Sequence, residues 1–238
     1  MKKILLAIPT YNEFANINKL YRLIRKYNKD IKILFIDDNS NDGTIFQIRK
    51  IIQQDKKVTL VVRKKKMGIG SAHKYIFKKA FKDKIKYLIT MDADLTHNPI
   101  LINKMVSLIK HFHLVQTNRF LDRNSIKSWP IHRVILTKMR YLLLYFLLDI
   151  KHDSSGAYRC YNLDRINQKT LLKSKNNSYS FFWESMYIFT KKKFKIKELS
   201  LIQNYRTGGN SKMTLSDWIF GLFYVFFIFF LSGKKKKF

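Results

Sequence analysis

The first hundred residues alternate between short apolar runs and longer segments in which apolar residues recur every three or four positions. The short runs have the length of buried strands, and the longer segments have the period of amphipathic helices. The predicted strands are residues 4–8, 31–36, 58–62 and 87–91. Because the connections between them are long enough for crossovers, the pattern predicts an α/β fold with a mostly parallel central sheet and helices on both faces.

Acidic residues gather directly after three of these strands. The chain has 16 aspartate and glutamate residues, and five of them follow the first, second and fourth strands: Glu13, Asp37, Asp38, Asp92 and Asp94. Open parallel sheets bind their ligands at the carboxyl ends of the strands. We therefore expect a functional site at this edge of the sheet.

Asp92 and Asp94 lie one residue apart in the segment 91–99, Met-Asp-Ala-Asp-Leu-Thr-His-Asn-Pro. Side chains alternate along an extended chain, so the two carboxylates point to the same side and repel each other unless a positive group separates them. Mg²⁺ or Mn²⁺, which prefer oxygen ligands, fit this position and could also hold a substrate diphosphate. The alternative for so short a motif is a polar loop with two solvated aspartates.

Two common phosphate-binding motifs do not occur in the sequence. There is no Gly-x-Gly-x-x-Gly after the first strand and no Gly-x-x-x-x-Gly-Lys-Ser/Thr, which disfavours the dinucleotide-binding and P-loop classes. Carboxylates at the strand ends indicate instead that the hydroxyls and amines of a sugar and a base are recognised. A metal ion would then bind the phosphates.

The net charge of +31, from 47 basic and 16 acidic residues, fits three kinds of partner: nucleic acid, an anionic membrane surface or a phosphorylated substrate. A basic nucleic-acid-binding protein is therefore an alternative from another class, although the acidic strand ends would repel its phosphates unless a metal is bound. The single cysteine, Cys160, precludes a disulfide framework within the chain and suits the cytosol. Residues 1–8 imitate a signal peptide, but we expect them to form the first strand.

Four motifs resemble glycosyltransferase family 2, and within it most closely the polyprenol (dolichol) monophosphate mannose synthases. They are Pro-Thr-Tyr-Asn-Glu at 9–13, Asp-Asp-x-Ser-x-Asp-Gly-Thr at 37–44, Gly-x-Gly-x-Ala at 68–72 and the segment 91–99. The similarity continues at 118–120, 129–133, 153–159 and 206–212. It implies a fold of the GT-A, nucleotide-diphospho-sugar transferase type, with residues 1–212 as the catalytic domain.

The resemblance also implies a role for particular residues. The nucleotide-sugar site would comprise Pro9, Tyr11, Glu13, Asp37, Asp38, Asp92, Ala93, Asp94 and Arg206. Asp92 and Asp94 would hold the divalent metal, Arg206 the donor diphosphate, and Arg119 and Arg133 the acceptor phosphate. The residues assigned to catalysis are Asp94, Arg119, Arg133 and Arg206. In a chain with 47 basic residues, Arg119 or Arg133 taken alone would be interpreted as a solvated surface charge, and only the motif context supports the acceptor role as well.

The roles of three further residues stay open at this point. Thr96 stands where the family commonly has a glutamine ligand to the metal. His97, like His132, could be a ligand, but a loop or turn role is expected for it. Glu184 is either a helix-capping or core hydrogen-bonding group or a base in a variant chemistry.

The activity that the resemblance implies is the inverting transfer of a hexose, with mannose from GDP-mannose as the preferred donor, onto a polyprenyl phosphate. A phosphate monoester has a second pKa of about 6, so the acceptor is largely a dianion at neutral pH and needs no strong general base. The alternatives are UDP-glucose or another nucleotide sugar with a polyprenyl phosphate or glycolipid acceptor, and a weakened relative that acts as a scaffold. No nucleic-acid partner is expected.

The carboxy-terminal segment, residues 213–238, has a different composition. Residues 218–231 carry no charge and are followed by four lysines at 234–237. The uncharged run is shorter than the roughly 20 residues that span a bilayer, so a short tail anchor, an in-plane interfacial helix and a core helix all remain open. The lysines suit anionic headgroups. We expect membrane association with the catalytic domain on the cytoplasmic side, and residues 141–148 form either a second apolar surface for the lipid chain or a buried helix.

Overall fold

The structure, a computed structural model, describes residues 3–202 and 214–234. The strands are β1 (Ile4–Thr10), β2 (Lys32–Asp37), β3 (Val58–Val62), β4 (Tyr87–Thr90), β5 (Leu114–Asn118), β6 (Arg159–Asn162) and β7 (Ile196–Ser200). The helices are α1 (Phe14–Tyr27), α2 (Thr44–Gln54), α3 (Ile69–Lys82), α4 (Leu101–Leu108), α5 (Ile131–Leu148), α6 (Gln168–Leu171), α7 (Ser180–Lys191) and α8 (Leu215–Lys234). A 3₁₀ turn, Ile109–His111, extends α4.

The seven strands form one sheet in the order β3-β2-β1-β4-β6-β5-β7. β1 to β4 pair in parallel, β6 runs antiparallel to both β4 and β5, and β7 is parallel to β5. The predicted α/β fold with a mostly parallel sheet is therefore confirmed. β1 is longer than predicted because Pro9 and Thr10 continue the pairing with Ile36 and Asp37.

Two apolar cores lie on the two faces of the sheet. Leu5 and Ala7 of β1 belong to the core that packs on α3 and α7, while Leu6 and Ile8 belong to the core that packs on α1, α2 and α4. This division follows from the alternation of side chains along a strand. Helices thus cover both faces, and the carboxyl ends of the parallel strands remain accessible between them.

Gly70, in the first turn of α3, allows this helix to approach the segment that leads into α7. A Cβ at Gly70 would lie 2.6 Å from Cβ of Phe181 and 2.9 Å from the carbonyl carbon of Asn177. We expect Gly70→Ala to lower the free energy of unfolding by about 1–3 kcal/mol, because the two segments must separate. Thermal and urea unfolding would measure the change.

The matched control is Gly156→Ala, since no described atom lies within 4 Å of a Cβ at that position. We expect this second variant to unfold like the parent protein. Equal unfolding midpoints for the two glycine variants would contradict the expectation that the close contact of α3 with the segment leading into α7 requires a glycine at position 70.

The last described helix, α8, begins with a capping box. The backbone amide of Asp217 donates to Oγ1 of Thr214 at 3.2 Å, and the Asp217 carboxylate accepts from the Thr214 amide at 2.9 Å. One side of α8 packs on the domain through buried Val225 and through Tyr224, whose ring lies 5.3 Å from that of Trp183. Within residues 3–202 and 214–234, no helix combines the length and the apolar character needed to cross a membrane.

Candidate functional site at the carboxyl edge of the sheet

A cavity of about 280 Å³ lies where β1, β2 and β4 end. Its lining includes seven of the predicted nucleotide-sugar residues: Pro9, Tyr11, Glu13, Asp38, Asp92, Ala93 and Asp94. The parallel topology explains this convergence, because it puts the carboxyl ends of neighbouring strands on the same edge. Arg206 lies outside the described residues.

Asp37 does not line the cavity, in contrast to its predicted role in nucleotide binding. Its side chain is fully buried and accepts hydrogen bonds from Thr10 Oγ1 at 2.6 Å and from the amide and hydroxyl of Ser40 at 2.7 Å each. Side chains alternate along β2, so Asp37 turns inward while Asp38 faces the cavity. The carboxylate of Asp37 thus fixes the loop that carries the site.

Tyr11 and Glu13, which follow β1, are held by contacts with the neighbouring segments. The Glu13 amide donates to Thr44 Oγ1 at 2.8 Å, and its carboxylate accepts from Asn16 Nδ2 at 2.8 Å. Lys66, another residue of the cavity wall, has its ammonium group 4.8 Å from the centre of the Tyr11 ring. This end of the cavity therefore offers both a carboxylate and a cation.

Asp38 is paired with a residue that the sequence did not single out, Arg63. The two side chains form a buried ion pair, and the Arg63 guanidinium also donates to Ser71 Oγ at 2.8 Å and to the carbonyl of Gly68 at 3.3 Å. The second oxygen of Asp38 accepts from the Met67 amide at 3.1 Å. Arg63 thereby connects the end of β3 to the start of α3 and holds Asp38 in one orientation.

The turn after β4 is stabilised by its own side chains. Asp94 Oδ1 accepts from the amide of Thr96 at 3.1 Å and from its hydroxyl at 2.6 Å. His97 Nδ1 accepts the amide of Asp92 at 3.0 Å, and its ring stacks on Tyr158 at 5.1 Å. The loop role expected for His97 is therefore confirmed. Thr96, at the position of the family's glutamine, orients Asp94.

The chemistry of this turn fits a Mg²⁺ or Mn²⁺ ion. Asp92 and Asp94 contribute hard carboxylate oxygens to the cavity wall. Among the residues described, no group of three or more His, Cys, Asp or Glu side chains is arranged to hold a metal. A small hard cation of this type commonly takes only one or two protein carboxylates, with water and substrate phosphates as the remaining ligands.

Arg119, at the end of β5, forms a two-pronged ion pair with Asp153. Its Nε and Nη2 donate to the two carboxylate oxygens at 2.8 Å each, and Nη2 also donates to Ser155 Oγ, which lines the cavity. Burial alone would raise the pKa of Asp153, but the charge and hydrogen bonds of Arg119 outweigh it and lower that pKa to about 2. Two of the three guanidinium nitrogens of Arg119 are therefore already engaged within the protein.

Arg133, in the first turn of α5, stacks on Trp129 with its guanidinium carbon 4.4 Å from the ring centre. The guanidinium carbon of Arg119 lies 5.7 Å from the centre of the same ring. Trp129 thus brings together the two arginines that the sequence assigned to the acceptor phosphate.

The remaining wall of the cavity comes from the second half of the chain. Ser178, Tyr179 and Phe182 contribute from the start of α7, and Thr214 and Asp217 from the start of α8. Ser178 Oγ donates to the Asp217 carboxylate at 2.9 Å. The carboxy-terminal segment, for which we expect membrane association, therefore also contributes to the wall of the cavity.

Glu184, in α7, is buried and holds a loop rather than facing the cavity. Its carboxylate accepts from Ser174 Oγ at 2.5 Å and from the amides of Lys175 and Asn176 at 2.8 and 3.0 Å. This confirms the structural alternative given for Glu184 over a catalytic one.

The family model for Glycosyl transferase family 2 matches residues 6–204. The chain belongs to this family. The resemblance noted in the sequence is thereby confirmed, and the match favours the transferase over the nucleic-acid-binding alternative.

This family 2 member is similar to two curated relatives and to one solved structure. It is 26% identical over 219 residues to a polyprenol monophosphomannose synthase of Mycolicibacterium smegmatis, a match that covers 91% of this chain and 83% of the relative. It is 30% identical over 157 residues to a dolichol-phosphate mannosyltransferase of Saccharomyces cerevisiae, covering 63% of this chain and 58% of the relative. The second match thus spans little more than half of the yeast protein.

The solved structure is the mannosyltransferase PcManGT from Pyrobaculum calidifontis in complex with GDP-Man and Mn²⁺. The TM-score is 0.62 at 14% sequence identity, with 98% of this chain and 64% of that chain covered. At this identity the likeness concerns the fold, which is of the GT-A type that the sequence predicted.

Proposed function

We propose that this family 2 glycosyltransferase is a metal-dependent, inverting hexosyltransferase that moves mannose from GDP-mannose onto a polyprenyl phosphate. One observation carries the proposal. Seven predicted donor residues line one cavity, and Ser155, which lines it too, accepts a hydrogen bond from Arg119, one of the two arginines predicted for the acceptor. The two relatives named above, one for polyprenol and one for dolichol phosphate, support the choice of acceptor.

The order of the strands supports one orientation of the donor. Asp38 follows β2, Glu13 follows β1, Asp92 follows β4, and Arg119 follows β5 on the far side of β6. Neighbouring strands lie about 4.8 Å apart, so these groups are spread in sequence along the edge of the sheet. We place the base and ribose near Asp38 and Glu13, the diphosphate near Asp92, and the sugar toward Ser155.

The donor's leaving group is a nucleoside diphosphate that gains negative charge as its bond to the sugar breaks. A divalent cation held by Asp92 and Asp94 would supply positive charge to that group. Thr96 keeps Asp94 in one orientation through two hydrogen bonds. Arg206 stays the predicted cation on the donor diphosphate, outside the described residues.

The acceptor phosphate attacks the anomeric carbon from the side opposite to the leaving group, which inverts that carbon. Because the phosphate is largely a dianion near neutral pH, the site has to hold and orient it rather than remove a proton. Planar guanidinium groups bind phosphate oxygens in pairs and suit this task. Arg133 is the partly exposed arginine at this position, and Arg119 supports it from within the domain.

We further propose that the protein attaches to the cytoplasmic membrane surface through α5 and α8, which pack against each other. Both helices expose large apolar side chains: Ile131, Ile135, Met139, Leu142 and Phe146 in α5, and Ile219, Phe220, Phe223, Phe227 and Phe230 in α8. Apolar surface of this extent on one flank is typical of a membrane or protein interface. The four lysines at 234–237 in the sequence, the first of which is the last residue of α8, suit anionic headgroups.

Phe220→Ser together with Phe223→Ser is expected to reduce binding to phosphatidylglycerol vesicles by about ten-fold or more, because two exposed rings no longer enter the lipid interface. Co-flotation with the vesicles would measure it. Phe46→Ser is the matched control, since Phe46 on α2 is 58% exposed and lies away from this flank. Equal losses in both variants, or none in the double variant, would contradict the assignment.

The transferase activity is tested by a donor screen. Purified protein in detergent is incubated with polyprenyl phosphate, Mn²⁺ and radiolabelled GDP-mannose, UDP-glucose or UDP-GlcNAc. We expect label in the lipid phase from GDP-mannose. Transfer from UDP-glucose or UDP-GlcNAc alone would support the alternative donors, and no transfer from any donor would refute the proposed activity.

A further inference from the structure

One buried arginine of the domain, Arg159, has no part in the proposed transfer. It is the first residue of β6, where it pairs with Thr90 of β4 and with Gln116 of β5. Because β6 runs antiparallel to both neighbours, its first residue lies at the edge where β4 and β5 end. Arg159 therefore lies at the edge of the sheet that carries the donor cavity.

The guanidinium of Arg159 is bound by neutral groups. The side chain is fully buried, and within residues 3–202 and 214–234 no carboxylate forms an ion pair with it. It donates to the carbonyls of Ser154 and Phe182 at 3.1 Å each and to Ser185 Oγ at 2.8 Å. A buried guanidinium without a carboxylate partner is costly for the stability of a fold. Its presence is therefore better explained by what these three contacts hold in place.

The three oxygens belong to two segments that are far apart in the sequence and that both reach the donor cavity. Ser154 precedes Ser155, and Phe182 lies in the first turn of α7; Ser155 and Phe182 both line the cavity. The guanidinium carbon of Arg159 also lies 5.5 Å from the centre of the Phe182 ring. Arg159 thus connects the segment before β6 to the start of α7 at two residues of the cavity wall.

A second arginine, Arg119, binds the segment before β6 through its side chains. Arg119 donates to the Asp153 carboxylate and to Ser155 Oγ, whereas Arg159 binds the backbone between them at the Ser154 carbonyl. Loss of Arg159 would therefore release the backbone of this segment while Arg119 still holds the side chains.

We propose that Arg159 is a positioning residue for the donor sugar, which acts by setting the places of Ser155 and Phe182 in the cavity wall. The location of the sugar near Ser155 rests on the proposed function. The base and ribose would lie at the ends of β1 and β2, which β4 separates from β6. Arg159 should therefore affect the binding of the sugar and leave the binding of the nucleotide unchanged.

Calorimetric titration with GDP and with GDP-mannose, each with Mn²⁺, separates these two parts of the donor. Arg159→Met is expected to weaken GDP-mannose binding by about ten-fold or more, because Ser155 and Phe182 no longer keep their places against the sugar. GDP binding should stay within about two-fold of the parent protein, since distant sites act independently. Arg159→Lys keeps the charge but reaches only some of the three oxygens, so it should restore part of the lost affinity.

Arg165→Met is the matched control. Arg165 is an exposed arginine beyond the other end of β6, and its guanidinium also donates to a backbone carbonyl, that of Lys110, at 3.1 Å. This variant should bind both ligands within about two-fold of the parent protein, as expected for a surface substitution. The kcat for transfer to polyprenyl phosphate should fall by about ten-fold or more in Arg159→Met and stay unchanged in Arg165→Met.

Equal losses for GDP and GDP-mannose, an unchanged affinity for GDP-mannose, or an equal loss in Arg165→Met would overturn the positioning role. If Arg159→Met does not fold, Arg159→Lys decides the matter, because parental affinity for GDP-mannose in that variant would exclude a bridging guanidinium. Failure of the proposed function is a separate result. A parent protein that binds no nucleotide sugar would refute that function and this role with it, whereas one that binds UDP-glucose instead would be compared with UDP.

Discussion

Replacing Asp94 by asparagine is expected to lower the rate of sugar transfer by about two orders of magnitude or more while leaving the fold intact. The substitution removes one of the two carboxylates assigned to the divalent cation. It retains an oxygen that can accept both hydrogen bonds from Thr96, so the turn after β4 keeps its support. Initial rates with GDP-mannose, polyprenyl phosphate and saturating Mn²⁺ would measure the effect.

The control for this experiment is Asp30→Asn, because the Asp30 side chain is 82% exposed and pairs with Lys57 away from the cavity. That variant should transfer sugar at the parental rate. Both variants should melt within a few degrees of the parent protein. Full activity in Asp94→Asn would remove the metal-binding role assigned to this residue.

Replacing Arg119 by methionine is expected to lower the free energy of unfolding by about 3–5 kcal/mol. The change leaves the carboxylate of Asp153, which is 2% exposed, buried without its counter-charge. Urea unfolding at neutral pH would measure the loss. Adding Asp153→Leu should recover part of it, because the unpaired charge is then removed as well. A single variant as stable as the parent protein would contradict the assigned ion pair.

The same pair gives a pH dependence with a defined sign. Arg119 lowers the pKa of Asp153 to about 2 in the folded protein, whereas an unfolded aspartate titrates near 4. The stabilisation is therefore present above about pH 4 and is lost as the pH falls through about 2. The difference in the free energy of unfolding between the parent protein and Arg119→Met should therefore decrease as the pH is lowered from about 4 to about 2. A difference that stays constant would assign the stabilisation to packing instead of charge.

The residues that the structure brings together at one cavity, as the sequence predicts, are those whose position follows from strand topology. Once four parallel strands are recognised, Glu13, Asp38 and Asp92 must meet at one edge, whatever the details of packing. The alternation of side chains also decides which of Asp37 and Asp38 faces the cavity. The sequence does not fix the residue at which β2 ends, so it cannot say which of the two adjacent carboxylates points inward. The sequence therefore assigned both to the nucleotide, and only the structure separates them.

The sequence does not predict the contacts between residues that are far apart in the chain. Arg63 meets Asp38 across 25 positions, Arg119 meets Asp153 across 34, and Ser178 meets Asp217 across 39. In a chain with 47 basic residues, no local pattern marks which arginine pairs with which carboxylate. The packing of α8 beside the cavity is equally non-local, since its composition indicates only an apolar helix.

We infer that a divalent cation held by Asp92 and Asp94 contacts the diphosphate of a nucleotide sugar in the cavity at the carboxyl edge of the sheet. Anomalous scattering from crystals grown with Mn²⁺ and GDP-mannose tests it most directly. We expect a manganese peak between the two carboxylates, with the diphosphate beside it. A nucleotide bound elsewhere, or manganese bound away from both aspartates, would contradict it.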